Sequence, residues 1–95
     1  MSATGENLSR KVGIVNQRGL HARASARFAT EAGRYNAEVA VTKDGVEVTG
    51  TSIMGLMMLG AAKGDDIVIS ADGDEAFAAV EALTALVSNR FGEAE

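Results

Sequence analysis

Ala37-Glu38-Val39-Ala40-Val41-Thr42-Lys43-Asp44-Gly45-Val46-Glu47-Val48-Thr49 is the stretch that decides the architecture of this 95-residue chain. Ala37, Val39 and Val41 alternate with Glu38, Ala40 and Thr42, the period of a strand with one buried face. Asp44-Gly45 is a dipeptide that tolerates the left-handed conformations of a tight hairpin turn, so Val46 to Thr49 returns as the antiparallel partner. The returning strand is short and carries Glu47, which puts it at a sheet edge.

Working outward, Arg10 to Val15 reads as a first strand with Val12 and Ile14 facing inward. Asn16-Gln17-Arg18-Gly19 is a turn. A first helix follows from Ala22 to Ala32, with Ala24 or Ser25, Phe28, Ala29 and Ala32 on one side and Arg23 and Arg27 on a solvent-facing side. Gly33 is expected to end it in the left-handed conformation, and Arg27 with Glu31 is an ion-pair option. Beyond the hairpin, Gly50-Thr51-Ser52 leads into a short helix, Ile53 to Leu59, ended by Gly60. Lys63-Gly64-Asp65-Asp66 turns the chain into Ile67 to Ala71, the most apolar strand and so a candidate for the sheet interior. Asp72 or Asp74 is expected to cap a last helix, Glu75 to Phe91, whose Ala76, Val80, Leu83 and Val87 lie on one stripe. Asp74 and Glu75 at its start and Arg90 near its end complement the helix dipole. The order βαββαβα, with short hairpins and helices on one face, reads as an α+β two-layer fold.

Composition narrows the class. No cysteine is present, which fits a reducing cytoplasm and removes disulfides and thiolate metal sites. The longest apolar run, Ile53 to Leu59, is far short of the roughly 20 residues that span a bilayer, so no membrane insertion is expected. Residues 1–8 are read as a flexible tail and 9–95 as one domain. The net charge is −4, unevenly distributed. Residues 1–34 carry six basic and two acidic residues, a net +4, and the remainder a net −8. The basic third suits an anionic group or an acidic partner. Nucleic acid is a poorer fit, because one tyrosine and three phenylalanines leave little for base stacking.

That basic third surrounds the single histidine, in Gly19-Leu20-His21-Ala22-Arg23-Ala24-Ser25. His21 falls where a helix begins, a position that normally carries Ser, Thr, Asp or Asn. An imidazole there breaks a local rule, as functional sites tend to do.

Gly19-Leu20-His21-Ala22-Arg23 resembles the phosphorylation-site motif of the HPr family of phosphocarriers, nitrogen-branch relatives included. Thr51-Ser52-Ile53-Met54-Gly55, with Leu59-Gly60 and Lys63-Gly64, is similar to the family's second signature. The resemblance implies an open-faced sandwich, with a four-stranded antiparallel sheet in order 1-4-2-3 and three helices on one face. It implies that His21, by analogy through Nδ1, accepts a phosphoryl group from the phosphorylated enzyme I of the phosphotransferase system and passes it to a IIA-type protein. Arg23 would stabilise the phosphate. It also implies a cytoplasmic monomer with no cofactor, no metal and no catalytic apparatus of its own. Ser52 matches a serine that a kinase phosphorylates in some relatives, with a phosphorylase reversing it.

Ala24 departs from the proline that many relatives carry there, and Gly55 from the lysine of enteric forms. Ile53, Met54 and Met57 are expected to contact partners, with Arg18 and Arg27 steering acidic surfaces towards them. Met58 or Leu59 is expected to be partly buried. Two other classes compete: a ligand-sensing or RNA-binding α+β module, and a hydrolase using Ser25 with His21. The second is weak because no acidic residue in the motif orients the imidazole.

Overall fold

The computed structural model describes residues 6–93. Its elements are β1 (Glu6–Gly13), α1 (Ala22–Ala32), β2 (Glu38–Lys43), β3 (Val46–Thr49), α2 (Ile53–Met58), β4 (Asp66–Gly73) and α3 (Ala76–Ser88), closed by a 3-10 turn at Arg90–Gly92. The strands form one antiparallel sheet in the order β1-β4-β2-β3. Asp44 (φ 51°) and Gly45 (φ 82°) both take the left-handed conformation that joins β2 to β3, as the hairpin reading requires. β3 is an edge strand, as is β1, and the apolar β4 lies between β1 and β2.

Burial alternates along β4, with Ile67, Ile69 and Ala71 buried and the residues between them partly exposed. One face of the sheet is therefore covered. Val12, Val39 and Val41 join these residues in a core completed by Phe28, Leu56, Val80, Leu83 and Val87 from the helices. Each side chain of this size removed from water contributes about 1.5–3 kcal/mol.

Several boundaries differ from the sequence reading. β1 begins at Glu6 and ends at Gly13, rather than running from Arg10 to Val15, because β4 offers eight paired positions, from Glu6↔Gly73 to Gly13↔Asp66. Residues 6–8, expected in the tail, therefore belong to the sheet, and Leu8 packs against the core; residues 1–5 lie outside the described residues. Gly33 ends α1 with φ −71°, not left-handed, because its N–H continues the helical bonding to the Ala29 carbonyl at 3.0 Å. Glu31 pairs with Arg34 and accepts from the Tyr35 hydroxyl, while Arg27 bonds elsewhere.

Neither Asp72 nor Asp74 caps α3. Asp72 lies within β4, and Asp74 accepts from Asn36 Nδ2 at 3.2 Å. Glu75 holds the cap position without a side-chain cap bond, its carboxylate accepting instead from the Asn36 N–H at 2.7 Å. α3 stops at Ser88 rather than Phe91. Arg90 and Phe91 take φ of 57° and 55°, so Arg90 lies outside the helix whose dipole it was expected to complement.

Left-handed backbone at non-glycine residues costs on the order of 1–3 kcal/mol each. The turn holds because it swings Phe91 into the core with no exposed surface and presents its carbonyl to Arg27 Nη1 at 2.9 Å. Phe91→Ala is expected to lower the unfolding free energy by about 3–5 kcal/mol. Urea denaturation checks this, and an unchanged midpoint would mean that the turn is not anchored by the ring.

Candidate functional site

The β1–α1 loop is clamped to the loop after α2. Gly64 N–H donates to the Ile14 carbonyl at 2.9 Å and Leu20 N–H to the Ala61 carbonyl at 2.9 Å. Gly19, at φ +63°, comes so close that a Cβ would lie 2.3 Å from the Ala61 oxygen. Glycine is required there for conformation and for space alike. The clamp delivers His21 to the start of α1 with an extended backbone (φ −75°, ψ −177°). Its carbonyl accepts the first helical bond from Ser25 N–H at 2.9 Å, and its Nδ1 accepts from Arg23 N–H at 3.3 Å. The imidazole thus serves as the cap of α1, as its place in the sequence suggests.

The other ring nitrogen meets a group that the sequence did not reveal. Nε2 contacts Oε2 of Glu93 at 2.5 Å, across 72 residues of sequence. Asn16 is fully buried and its Nδ2 donates both to Glu93 Oε1 at 3.1 Å and to the Gly19 carbonyl at 2.9 Å. An ionised carboxylate only accepts hydrogen bonds, so Nε2 carries the proton and Nδ1 keeps its lone pair. That lone pair points at the free N–H groups of the helix start.

Burial opposes ionisation of Glu93. Hydrogen bonds from His21 and Asn16, with the charge of Arg18, outweigh it and hold the carboxyl below its ordinary value of 4.5. The motif itself lacks a carboxylate, as read from the sequence, and the fold supplies one from the C-terminal turn. A helix continuing through Phe91, as the local pattern reads, carries Glu93 away from His21, whereas the observed helix stops at Ser88. Gly92, a helix-stop residue directly before Glu93, was the signal that the chain turns back.

Around the ring, Gln17, Arg18, Arg23, Arg27, Gly92 and Glu93 line an open cleft of about 380 Å³. Arg18 from the loop and Arg23 and Arg27, one turn apart on α1, therefore gather at His21. An anion at Nδ1 would meet helix-start N–H groups and guanidinium donors together. Ser25 is fully buried and its hydroxyl donates to the Leu20 carbonyl at 3.2 Å, which leaves the hydrolase reading without a nucleophile.

Ser52, Ile53, Met54 and Met57 do not line this cleft; they lie on or at the start of α2, which packs beside α1. Ser52 caps α2, its Oγ accepting from Gly55 N–H at 3.0 Å. A Cβ at Gly55 would stand 3.0 Å from that oxygen and 3.1 Å from Val48 Cβ, so a lysine there needs its neighbours to give way slightly. Ile53, Met54 and Met57 are exposed, and Leu59 is buried. Met58, a candidate for partial burial, is the most exposed of the group at 80%, because Leu56 and Leu59 already occupy the inward positions of so short a helix.

The sequence and fold match those of known proteins. The family model described as "PTS HPr component phosphorylation site" matches residues 8–89. The chain belongs to the PTS HPr family. Phosphocarrier protein HPr of Neisseria meningitidis serogroup A is 49% identical over 88 residues, 93% of this chain and 99% of that protein. Phosphocarrier protein NPr of Shewanella violacea is 38% identical, covering 92% of this chain and 96% of that one. The crystal structure of HPr-C-His from Thermoanaerobacter tengcongensis superposes with a TM-score of 0.88 at 38% identity, covering 93% of this chain and 99% of that one. The protein is an HPr-type phosphocarrier of the phosphotransferase system, and the ligand-sensing or RNA-binding alternative finds no support. Among the described residues, no helix is long and apolar enough to cross a membrane.

The Glu93 contact has a pH signature. A carboxyl whose value is depressed in the folded state stabilises the fold above the unfolded value and loses that contribution as pH falls through the folded one. The wild type is therefore expected to hold an advantage over Glu93→Gln in urea midpoint at neutral pH, and that advantage shrinks below about pH 4.5. Paired urea titrations across that range measure it; a constant difference would mean that the carboxylate charge adds nothing.

Proposed function

We propose that His21 is the residue on which the phosphoryl group travels, received at Nδ1 from phosphorylated enzyme I and handed to a IIA-type protein. The observation that supports this most directly is the orientation of the ring: the Nδ1 lone pair faces the start of α1 while the Nε2 proton is engaged by Glu93. Neutral imidazole is a competent nucleophile near neutral pH. The phosphate it acquires is met by helix-start N–H groups and by Arg23, with Arg18 and Arg27 adding positive potential.

The docking surface is the exposed apolar face of α2, formed by Ile53, Met54 and Met57 and enlarged by Met58. Flexible methionines suit a surface that two different partners use in turn. The carrier works as a cytoplasmic monomer and draws on its partners for catalytic groups, with no cofactor of its own. Ser52 is a regulatory site for a serine kinase and its opposing phosphorylase: a phosphate there would add about −1.5 to −2 charge beside the docking face.

Incubation with phosphoenolpyruvate and the cognate enzyme I should add one acid-labile phosphate to the intact mass of the wild type and none to His21→Ala. No gain with an active enzyme I would overturn the assignment. Ser52→Asp, which keeps an acceptor oxygen at the cap, is expected to weaken docking to enzyme I about tenfold, the equivalent of roughly 1.4 kcal/mol. Titration calorimetry measures this, and an unchanged affinity would remove Ser52 from regulation.

A further inference from the structure

We infer that Met54, Met57 and Met58 form a modification site, at which hydroperoxides oxidise the thioethers to sulfoxides and so weaken docking on α2 without touching the His21 cleft. This rests on the reading of α2 as the docking face. The chain holds four methionines and no cysteine. Met1 lies outside the described residues, and the other three fall within one short helix, Ile53–Met58. Every sulfur atom among the described residues is therefore on α2.

That helix divides its apolar residues by chemistry. Leu56 and Leu59 are buried, whereas Met54 at 69%, Met57 at 40% and Met58 at 80% exposure face water. Met54 and Met58 are four residues apart and Met57 three beyond Met54, so the thioethers share one patch. Leucine at these places would offer a similar apolar area and would be inert to oxidants. Methionine offers that area together with a sulfur lone pair open to solvent.

In the reaction, the sulfur lone pair attacks one oxygen of a hydroperoxide. An S–O bond forms as the O–O bond breaks, and the other oxygen leaves with both protons as water when the oxidant is hydrogen peroxide. Sulfur gives up two electrons and the peroxide gains them. No thiol in the chain competes. The product is a polar sulfoxide, which a reductase returns to the thioether at the expense of two thiols. While the protein is free, water solvates the new oxygen, and the core contacts of Leu56 and Leu59 are unaffected. Docking against an apolar partner surface strips that water away and leaves the S=O dipole without a donor. None of the three methionines lines the His21 cleft, so the effect falls on binding and not on transfer within the bound complex.

The test treats the full chain with hydrogen peroxide, removes the excess with catalase, and locates the added oxygens by peptide mass mapping. Phosphorylation by phosphoenolpyruvate and enzyme I is then followed over a range of carrier concentrations. Oxygen should appear on Met54, Met57 and Met58. The half-saturating carrier concentration should rise about tenfold, the effect of one polar group buried without a partner, while the rate at saturation stays unchanged. Methionine sulfoxide reductase with dithiothreitol should reverse the rise. A variant carrying Met54→Leu, Met57→Leu and Met58→Leu, compared with its own untreated sample, should not respond to peroxide. Amide spectra of the oxidised chain should remain those of the folded protein.

Failure of these residues to oxidise overturns the inference, and so does oxidation that leaves half-saturation unchanged. An equal peroxide response in the leucine variant, or loss of the folded spectrum on oxidation, overturns it as well. The docking reading has its own readout, the amide shifts of the unoxidised ¹⁵N-labelled chain on addition of enzyme I. Shifts that avoid Ile53–Met58 overturn the docking face itself, whereas shifts there without a response to oxidation overturn the modification site alone.

Discussion

The site depends on an imidazole standing where a helix cap belongs. A serine or aspartate oxygen would satisfy the first N–H groups of α1 firmly, whereas Nδ1 of His21 reaches a single one, Arg23 N–H, at 3.3 Å. The helix start is left under-satisfied, and its partial positive charge is available. A phosphoryl group on Nδ1 brings acceptor oxygens to the place where that deficit lies. On the proposed reading, phosphorylation of His21 would exchange a weak cap for a stronger one. A better cap in the resting state would compete with the group that the protein carries.

Holding the imidazole there is the task of the rest of the molecule. The order β1-β4-β2-β3 places β4 beside β1, so the loops that follow β1 and precede β4 lie at the same end of the sheet. There the Leu20–Ala61 and Gly64–Ile14 hydrogen bonds tie the histidine loop to the segment after α2. The two short stretches that resemble family signatures are thus parts of one junction. Leu20 is buried at the junction, and His21, directly after it, faces the cleft.

Local grammar made most of this legible. Alternation along Val39 and Val41, the Asp44-Gly45 turn and the stripe Ala76, Val80, Leu83 and Val87 each specify an element with information contained within a few residues. The position of His21 at a helix start was legible for the same reason. Glu93 was not, because its role depends on two long-range facts: α3 stops at Ser88, and Phe91 is drawn into the core. A continuous helix through Phe91 satisfies every local preference, and only the packing of that ring beneath α1 turns the chain back. The start of β1 was hidden similarly. Glu6-Asn7 has no strand-like pattern of its own and is ordered by eight paired positions on β4. Asp74 suits a cap and Glu75 a helix start by local preference, yet Asn36, from the distant α1–β2 connection, donates to both carboxylates.

A carrier has to bind its phosphoryl group well enough to survive transit and weakly enough to release it. The charges in the cleft reflect that compromise. Three arginines converge on His21, yet they do not act as three free cations. Arg27 has a donor engaged by the Phe91 carbonyl, Arg18 contributes to holding Glu93 ionised, and Arg23 is exposed to water, which screens its attraction. Glu93 adds a negative charge on the far side of the ring. On the proposed reading, this arrangement would neutralise a dianion on His21 only in part and leave the rest to the docked partner. Transfer potential in this arrangement is set by how incompletely the site neutralises the phosphate, so a more strongly basic cleft would make a tighter phosphoprotein and a poorer carrier.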